Sequence, residues 1–128
     1  MMRGGLSVVL TIFLLLPRDA GAGSFLTQAG GLSVELASEP GRPVQGRETV
    51  YTLSLRDGIG RAVAGAKVTL MGRMPDGMTV LAPLRESSEA GMYSGRVLFT
   101  MEGEWRLTVR ILQAATPLEL SFTEQVAR

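Results

Sequence analysis

The chain has 128 residues, with 13 basic and 12 acidic side chains and a formal net charge of +1. It contains no cysteine and no histidine, which excludes a disulfide framework, thiolate chemistry, the most common general base and the usual zinc ligands. With no run of basic residues, the composition also argues against nucleic acid or an anionic membrane as a partner. We therefore expect a single domain that is not an enzyme.

The first 22 residues have the pattern of a secretory signal peptide. Arg3 precedes an uncharged apolar run at residues 6–16, and Ala20-Gly21-Ala22 is the small-x-small pattern of a cleavage site. The run has 11 residues, fewer than the roughly 20 that a membrane-spanning helix needs. We predict a cleaved leader at 1–22, no membrane span afterwards, and a periplasmic or secreted protein. The alternative is an uncleaved N-terminal membrane anchor.

Residues 23–30 are expected to be flexible, and residues 31–126 form the predicted domain. Seven segments of this domain alternate apolar and polar residues, the period of a half-buried strand. They lie at residues 32–36, 51–55, 66–70, 79–84, 93–99, 105–111 and 118–122. The fourth segment contains Pro83, which has no N–H for a ladder, so it is predicted to be an edge strand or a connection between sheets. No segment has a helical pattern.

The fifth and sixth segments are predicted to form a hairpin. A three-residue loop at 101–103 would pair Phe99 with Trp105, both inward, and would put Gly103 where a left-handed residue is needed. Seven short strands in about a hundred residues predict an all-β fold, an immunoglobulin-like antiparallel β-sandwich preceded by a signal peptide. Trp105 is the expected anchor of its core.

The segment "MGRMPDGM" at residues 71–78 holds three of the seven methionines. Thioether sulfur is a soft, neutral ligand that suits Cu(I), so Met71, Met74 and Met78 form a hypothetical Cu(I) site, with Met92 or Met101 as a further donor. Methionine is also a common filler of irregular cores and interfaces. Strand alternation from Leu70 places Met74 inward and Met71 outward, so only a bend could bring the three sulfurs together.

The order of these motifs resembles the YtkA-like and FixH-like domains of exported bacterial proteins. The matching text is "LSVELASEPGRPVQGRETVYTLSLRDGIGRAVAGAKVTL", "RMPDGM" and "GMYSGRVLFTMEGEWRLTVRI". The resemblance implies an immunoglobulin-like sandwich outside the cytoplasmic membrane, with a role in copper or other heavy-metal handling or in oxidase assembly. Its Met-Pro-x-x-Met segment corresponds to Met74, Pro75 and Met78. Relatives often bear histidine nearby, and the lack of histidine here leaves only a thioether site for Cu(I).

Two functions follow as expectations. The first is an exported non-enzymatic module that is accessory to copper or heavy-metal handling or to oxidase assembly; no cofactor is certain, and Cu(I) is the hypothetical one. The second is a protein-interaction or structural sandwich without metal, in which the methionines serve packing or an interface. In either case the expected partner is another exported or membrane protein.

Overall fold

The computed structural model describes residues 8–11, 23–29, 31–113 and 116–128. Within these ranges the chain forms nine strands and no helix. The strands are β1 Val8–Thr11, β2 Gly23–Ala29, β3 Leu32–Glu39, β4 Glu48–Arg56, β5 Lys67–Arg73, β6 Thr79–Glu86, β7 Met92–Leu98, β8 Gly103–Gln113 and β9 Thr116–Val126. Strands β3 to β9 correspond to the seven predicted segments, and the predicted all-β fold is confirmed.

The strands form one curled sheet whose two halves face each other. The order is β1-β9-β8-β5-β6-β7-β4-β3-β2, and every pair is antiparallel except β1 with β9. We call β5, β6, β8 and β9 the first sheet, and β2, β3, β4 and β7 the second sheet. Contact between the halves includes a hydrogen bond of 3.1 Å from the Tyr51 hydroxyl on β4 to the Glu124 carboxylate on β9.

Strand β6 joins the two sheets. Its residues up to Leu84 pair with β5, whereas Arg85 and Glu86 pair with β7. Gly95 on β7 lies against this crossing, because a Cβ there would come within 2.6 Å of the Pro83 carbonyl oxygen. The proline and the glycine therefore allow β6 to leave one sheet and enter the other. The prediction of a connection between sheets is confirmed.

The core lies between the two halves and is built from the inward positions of each strand. Trp105, Leu107, Val109 and Ile111 alternate along β8 and are at most 1% exposed. From the other half, Tyr51, Leu53 and Leu55 on β4 are equally buried. Period-two alternation therefore predicted the buried faces, and Trp105 is buried as expected.

The predicted hairpin between the fifth and sixth segments is wrong. Strand β7 pairs with β4 and β6, and β8 pairs with β5 and β9, so the connection at 99–102 passes from one sheet to the other. Phe99 and Trp105 still meet edge to face, with ring centroids 5.2 Å apart. They meet across the core rather than side by side, because alternation fixes the direction of a side chain without fixing the neighbouring strand.

The N-terminal region lies mostly outside the described residues. Of the predicted leader, 1–22, only Val8–Thr11 is described, and it pairs in parallel with β9 at residues 118–121. Cleavage of the leader stays a prediction. The segment that was expected to be flexible contains β2, which pairs with β3 from Gly23 opposite Ser38 to Ala29 opposite Leu32. No helix long and apolar enough to span a membrane occurs among the described residues.

Candidate functional site

The methionine segment forms the end of β5, a tight turn and the start of β6. The Met74 N–H donates to the Met78 carbonyl at 2.8 Å, and the Gly77 N–H donates to the Met74 carbonyl at 3.0 Å. Pro75 and Asp76 occupy the middle of the turn, and Gly77 has a φ of +97°, the conformation that glycine adopts without strain. The Asp76 carboxylate accepts the Met78 N–H at 3.0 Å. The two backbone hydrogen bonds, with a positive φ at Gly77, are the pattern of a type I turn followed by a bulge.

Met74 and Met78 lie directly opposite each other across this hairpin. Residues so placed have Cβ atoms about 4.5–5.5 Å apart on the same face of the sheet. Met74 is half-buried against the core, and its methyl group lies 3.0 Å from where a Cβ on Gly103 would stand. Met78 is 38% exposed, and its sulfur lies 3.5 Å from the Thr100 hydroxyl. The hairpin tip therefore rests on the connection between β7 and β8.

Met71 lies on the other face of the first sheet, as strand alternation predicts. It is half-buried and lies opposite Leu81 on β6 and Thr108 on β8. Gly72, the next residue, points into the core, where a Cβ would come within 2.7 Å of Leu107. The structure thus brings Met74 and Met78 together and separates Met71 from them by the thickness of the sheet.

The two further methionines considered as donors lie at opposite ends of the sandwich. Met101 belongs to the connection that contacts the hairpin tip; it is 40% exposed, and its carbonyl accepts the Trp105 indole N–H at 3.0 Å. Met92 begins β7. Since Thr100 lies eight residues further along an extended chain, Met92 is roughly 25 Å from the hairpin tip.

A cleft of about 460 Å³ opens on the outer face of the first sheet. We call it the outer cleft; it lies over the strand pairs β5–β6 and β5–β8. Its lining residues are Met71, Gly72, Arg73, Thr79, Val80, Leu81, Arg106 and Thr108. Leu81 is 69% exposed and lies next to half-buried Met71 on the neighbouring strand. The outer cleft therefore combines an apolar wall with two guanidinium groups.

The two arginines of the outer cleft are direct neighbours across the sheet. Arg73 on β5 is opposite Arg106 on β8, and both are exposed. Among the described residues, no carboxylate forms an ion pair with either arginine. Glu104 lies two positions before Arg106 on the same face, and it too has no ion pair within the described ranges. Like charges placed directly opposite on adjacent strands are destabilising, so this arrangement opposes folding slightly.

A second group of polar side chains holds the connection between β4 and β5. The Glu86 carboxylate accepts the Gly65 N–H at 2.9 Å and the Gly91 N–H at 3.0 Å. Hydrogen bonds from Gly91 and then from Gly65 lower the pKa of Glu86. The Tyr93 hydroxyl accepts the Ala66 N–H and donates to the Val63 carbonyl, and burial raises the pKa of Tyr93. Since each of these groups bonds the backbone of a connection, the cluster fixes loop conformation.

Asp57 holds the first part of the connection between β4 and β5 through backbone hydrogen bonds of the same kind. The Asp57 carboxylate accepts the Ile59 N–H at 3.0 Å and the Arg61 N–H at 2.9 Å. The hydrogen bond from Arg61 is the largest cause that lowers the pKa of Asp57. No group of three or more histidine, cysteine, aspartate or glutamate side chains that could hold a metal ion occurs in the described ranges.

The sequence profile of the YtkA-like family matches residues 27–110 of this chain, a region that begins within β2 and ends within β8. The chain belongs to the YtkA-like family. The predicted resemblance to YtkA-like domains is confirmed, whereas the predicted resemblance to FixH-like domains is not confirmed. The YtkA-like family and the fold together fit a non-enzymatic β module.

No curated protein sequence matches this YtkA-like chain. Among solved structures, the crystal structure of the Lin-41 filamin domain is similar, with a TM-score of 0.55 and 23% sequence identity. The match covers 87% of this chain and 97% of the filamin domain. At this identity the likeness concerns the fold alone, and it confirms the immunoglobulin-like architecture of the YtkA-like domain.

The outer cleft was not predicted from the sequence, although its parts were visible. Arg73 and Arg106 both fall at outward positions of their strands, and Leu81 falls at an outward position of the fourth segment. What the sequence lacks is the register between β5 and β8, which are not consecutive along the chain. Only that register places the two arginines opposite each other.

Proposed function

We propose that this YtkA-like domain is an exported, non-enzymatic module that binds another exported or membrane protein through the outer face of its first sheet. The outer cleft is the single observation that carries this proposal. Leu81, an aliphatic side chain that is 69% exposed, lies beside half-buried Met71. Arg73 and Arg106 line the same cleft and have no carboxylate partner among the described residues. This composition is that of a protein interface, where arginine and methionine are enriched.

The composition of the chain supports the non-enzymatic part of the proposal. The whole sequence lacks histidine and cysteine, and the carboxylates with a lowered pKa, Asp57 and Glu86, bond backbone amides of turns. The predicted leader at 1–22 supports a periplasmic or secreted location. Mass spectrometry of the exported protein tests this point, since retention of residues 1–22 would favour an N-terminal anchor.

The interface is tested by photo-crosslinking in the cells that produce the protein. A photoreactive amino acid at position 81 is expected to give one discrete protein adduct. The matched control is position 98 on β7, because Leu98 is also exposed, at 48%, but lies on the second sheet. No adduct from position 81, or the same adduct from both positions, would contradict the proposed docking face.

A second candidate function is a role in copper or heavy-metal handling or oxidase assembly, through a Cu(I) site at the hairpin tip. The placement of Met74 opposite Met78, beside the connection that contains Met101, favours it. Two or three thioethers are a donor set that suits Cu(I) in an oxidising compartment. Met71, the third donor of the hypothetical site, lies on the other face of the sheet and would reach this ion only after the hairpin rearranges.

The metal site is tested by titrating Cu(I) against a chromophoric competitor. The double variant Met74→Leu/Met78→Leu is expected to lose Cu(I) binding, because leucine keeps the volume of methionine but has no donor atom. Met71→Leu is the matched control and is expected to keep it. Unchanged affinity in the double variant would remove the hypothesis.

A further inference from the structure

We propose that the outer cleft binds an acidic segment of a partner protein, in which an aspartate or glutamate side chain lies next to an aliphatic one. This inference rests on the proposed function, since it names the chemistry of what docks on the same face. The carboxylate would lie between Arg73 and Arg106, and the aliphatic side chain would pack on Met71 and Leu81.

The facing arginines are the first argument. Arg73 and Arg106 are directly opposite residues, so their Cβ atoms are about 4.5–5.5 Å apart. Both guanidinium groups can therefore reach one carboxylate. Guanidinium presents a planar set of donors that matches a carboxylate in a two-bond arrangement. An anion between the two groups also removes their mutual repulsion, so binding is favoured by the same arrangement that opposes folding in the free protein.

The charge of the whole face is the second argument. The outward positions of the first sheet carry four basic and two acidic side chains. The basic ones are Lys67, Arg73, Arg106 and Arg110, and the acidic ones are Glu104 and Glu119. One of each, Arg110 and Glu119, already form an ion pair of 3.6 Å. Such an excess attracts acidic partners and orients them during encounter.

The second sheet has no such excess. On the outward positions of β3, β4, β7 and the end of β6 that pairs with β7, there are three acidic and three basic residues, namely Glu35, Glu39, Glu48, Arg56, Arg85 and Arg96. Since the net charge of the chain is only +1, the positive charge is concentrated on the face that contains the outer cleft. A nonspecific attraction to acidic molecules would not require the positive charge to be concentrated on one face.

The apolar wall is the third argument, and it separates a peptide from a simple anion. Phosphate would use the arginines and leave Leu81 and Met71 in contact with water. An aliphatic side chain next to the carboxylate covers both. The cleft of about 460 Å³ lies within the range of pockets that enclose small ligands, about 300–1,000 Å³, so it accepts a short stretch of the partner.

The test uses the full chain labelled with ¹⁵N and three probes. These are a blocked hexapeptide of alternating glutamate and leucine, the same peptide with glutamine in place of glutamate, and inorganic phosphate. The acidic peptide is expected to shift the amide resonances of β5, β6 and β8 in a saturable way, with at least tenfold higher affinity than the glutamine peptide. Equal affinity of the two peptides, no saturable shift, or phosphate binding as tight as that of the acidic peptide would each overturn the proposal.

Variants separate a binding role from a structural one. Arg73→Gln/Arg106→Gln is expected to weaken binding of the acidic peptide at least tenfold. Arg56→Gln/Arg96→Gln removes the same charge from the second sheet and should change the affinity less than twofold. Arg106→Glu places a carboxylate opposite Arg73, so it should abolish binding while leaving the urea midpoint unchanged or higher. Unchanged binding in Arg106→Glu would contradict the assignment.

The crosslinking from position 81 distinguishes failure of this inference from failure of the proposed function. If position 81 still gives its adduct in cells and the adduct persists in Arg73→Gln/Arg106→Gln, the docking face is right and the acidic partner is wrong. If no adduct forms from position 81, the docking face itself is wrong.

Discussion

Alanine at position 95 would place a methyl group 2.6 Å from the Pro83 carbonyl oxygen and 2.6 Å from Leu84 Cδ2. The Leu84 methyl group can rotate away, but the carbonyl belongs to β6, which is hydrogen-bonded to β5 on one side and to β7 on the other. Carbon–oxygen contacts normally begin near 3.3 Å, so one strand must move by about 0.7 Å. That movement strains the ladder at the point where β6 changes sheets.

The free energy of unfolding of Gly95→Ala should fall by about 3 kcal/mol. Overpacking of this kind costs about 1–3 kcal/mol, and we take the upper end because the contact is with backbone. One weakened ladder bond adds about 1 kcal/mol, while replacing glycine in a strand returns up to about 1 kcal/mol. Urea denaturation of the full chain measures the change, with a midpoint expected to fall by about 1 M or more.

Gly72→Ala is the matched control for this prediction. Its Cβ would lie 2.7 Å from Leu107 Cδ2 and 2.8 Å from Val80 Cγ2, and both are ends of side chains that can shift. We expect a loss below about 2 kcal/mol. A Gly95→Ala protein within 1 kcal/mol of the parent, or a larger loss in Gly72→Ala than in Gly95→Ala, would refute the reasoning about backbone contacts.

Three further substitutions test the core and the loop cluster. Trp105→Ala should lower the free energy of unfolding by about 3–5 kcal/mol, because Trp105 is fully buried against Phe99; a loss below 2 kcal/mol in urea would contradict its anchoring role. Tyr93→Phe should lose about 1–3 kcal/mol, because two backbone groups lose the hydroxyl as partner; an unchanged urea midpoint would contradict this. The lowered pKa of Glu86 means that its contribution to stability is complete above about pH 5 and is lost as the pH falls through that lowered pKa. Urea denaturation at pH 5 and pH 3 should therefore show a smaller acid-induced loss in Glu86→Gln than in the parent, and equal losses would show that the carboxylate is not responsible.

The strands and their buried faces were predictable because they depend on local alternation. Residues 105–111 alternate so regularly that their inward face follows from the sequence alone, and the same holds for Tyr51, Leu53 and Leu55. The turn at Pro75-Asp76-Gly77 was predictable for a different reason, since each of its residues favours one position of a type I turn.

The strand partners were not predictable, and the hairpin error shows why. A side-by-side pair and a pair facing each other across a core both bring Phe99 and Trp105 into contact. Consecutive strands often pair, but here the connection at 99–102 crosses between the sheets. The outer cleft depends on the same information, because Arg73 and Arg106 become neighbours only when β5 pairs with β8.

The strand shared by both sheets links recognition to the cohesion of the whole domain. Since β6 is bonded to β5 and to β7, neither half can open without releasing it, and its amide protons should exchange with solvent only through global unfolding. Leu81 lies on this strand. A partner held there would therefore slow exchange throughout both halves, and occupancy of the outer cleft should be readable from amides on the far side of the molecule.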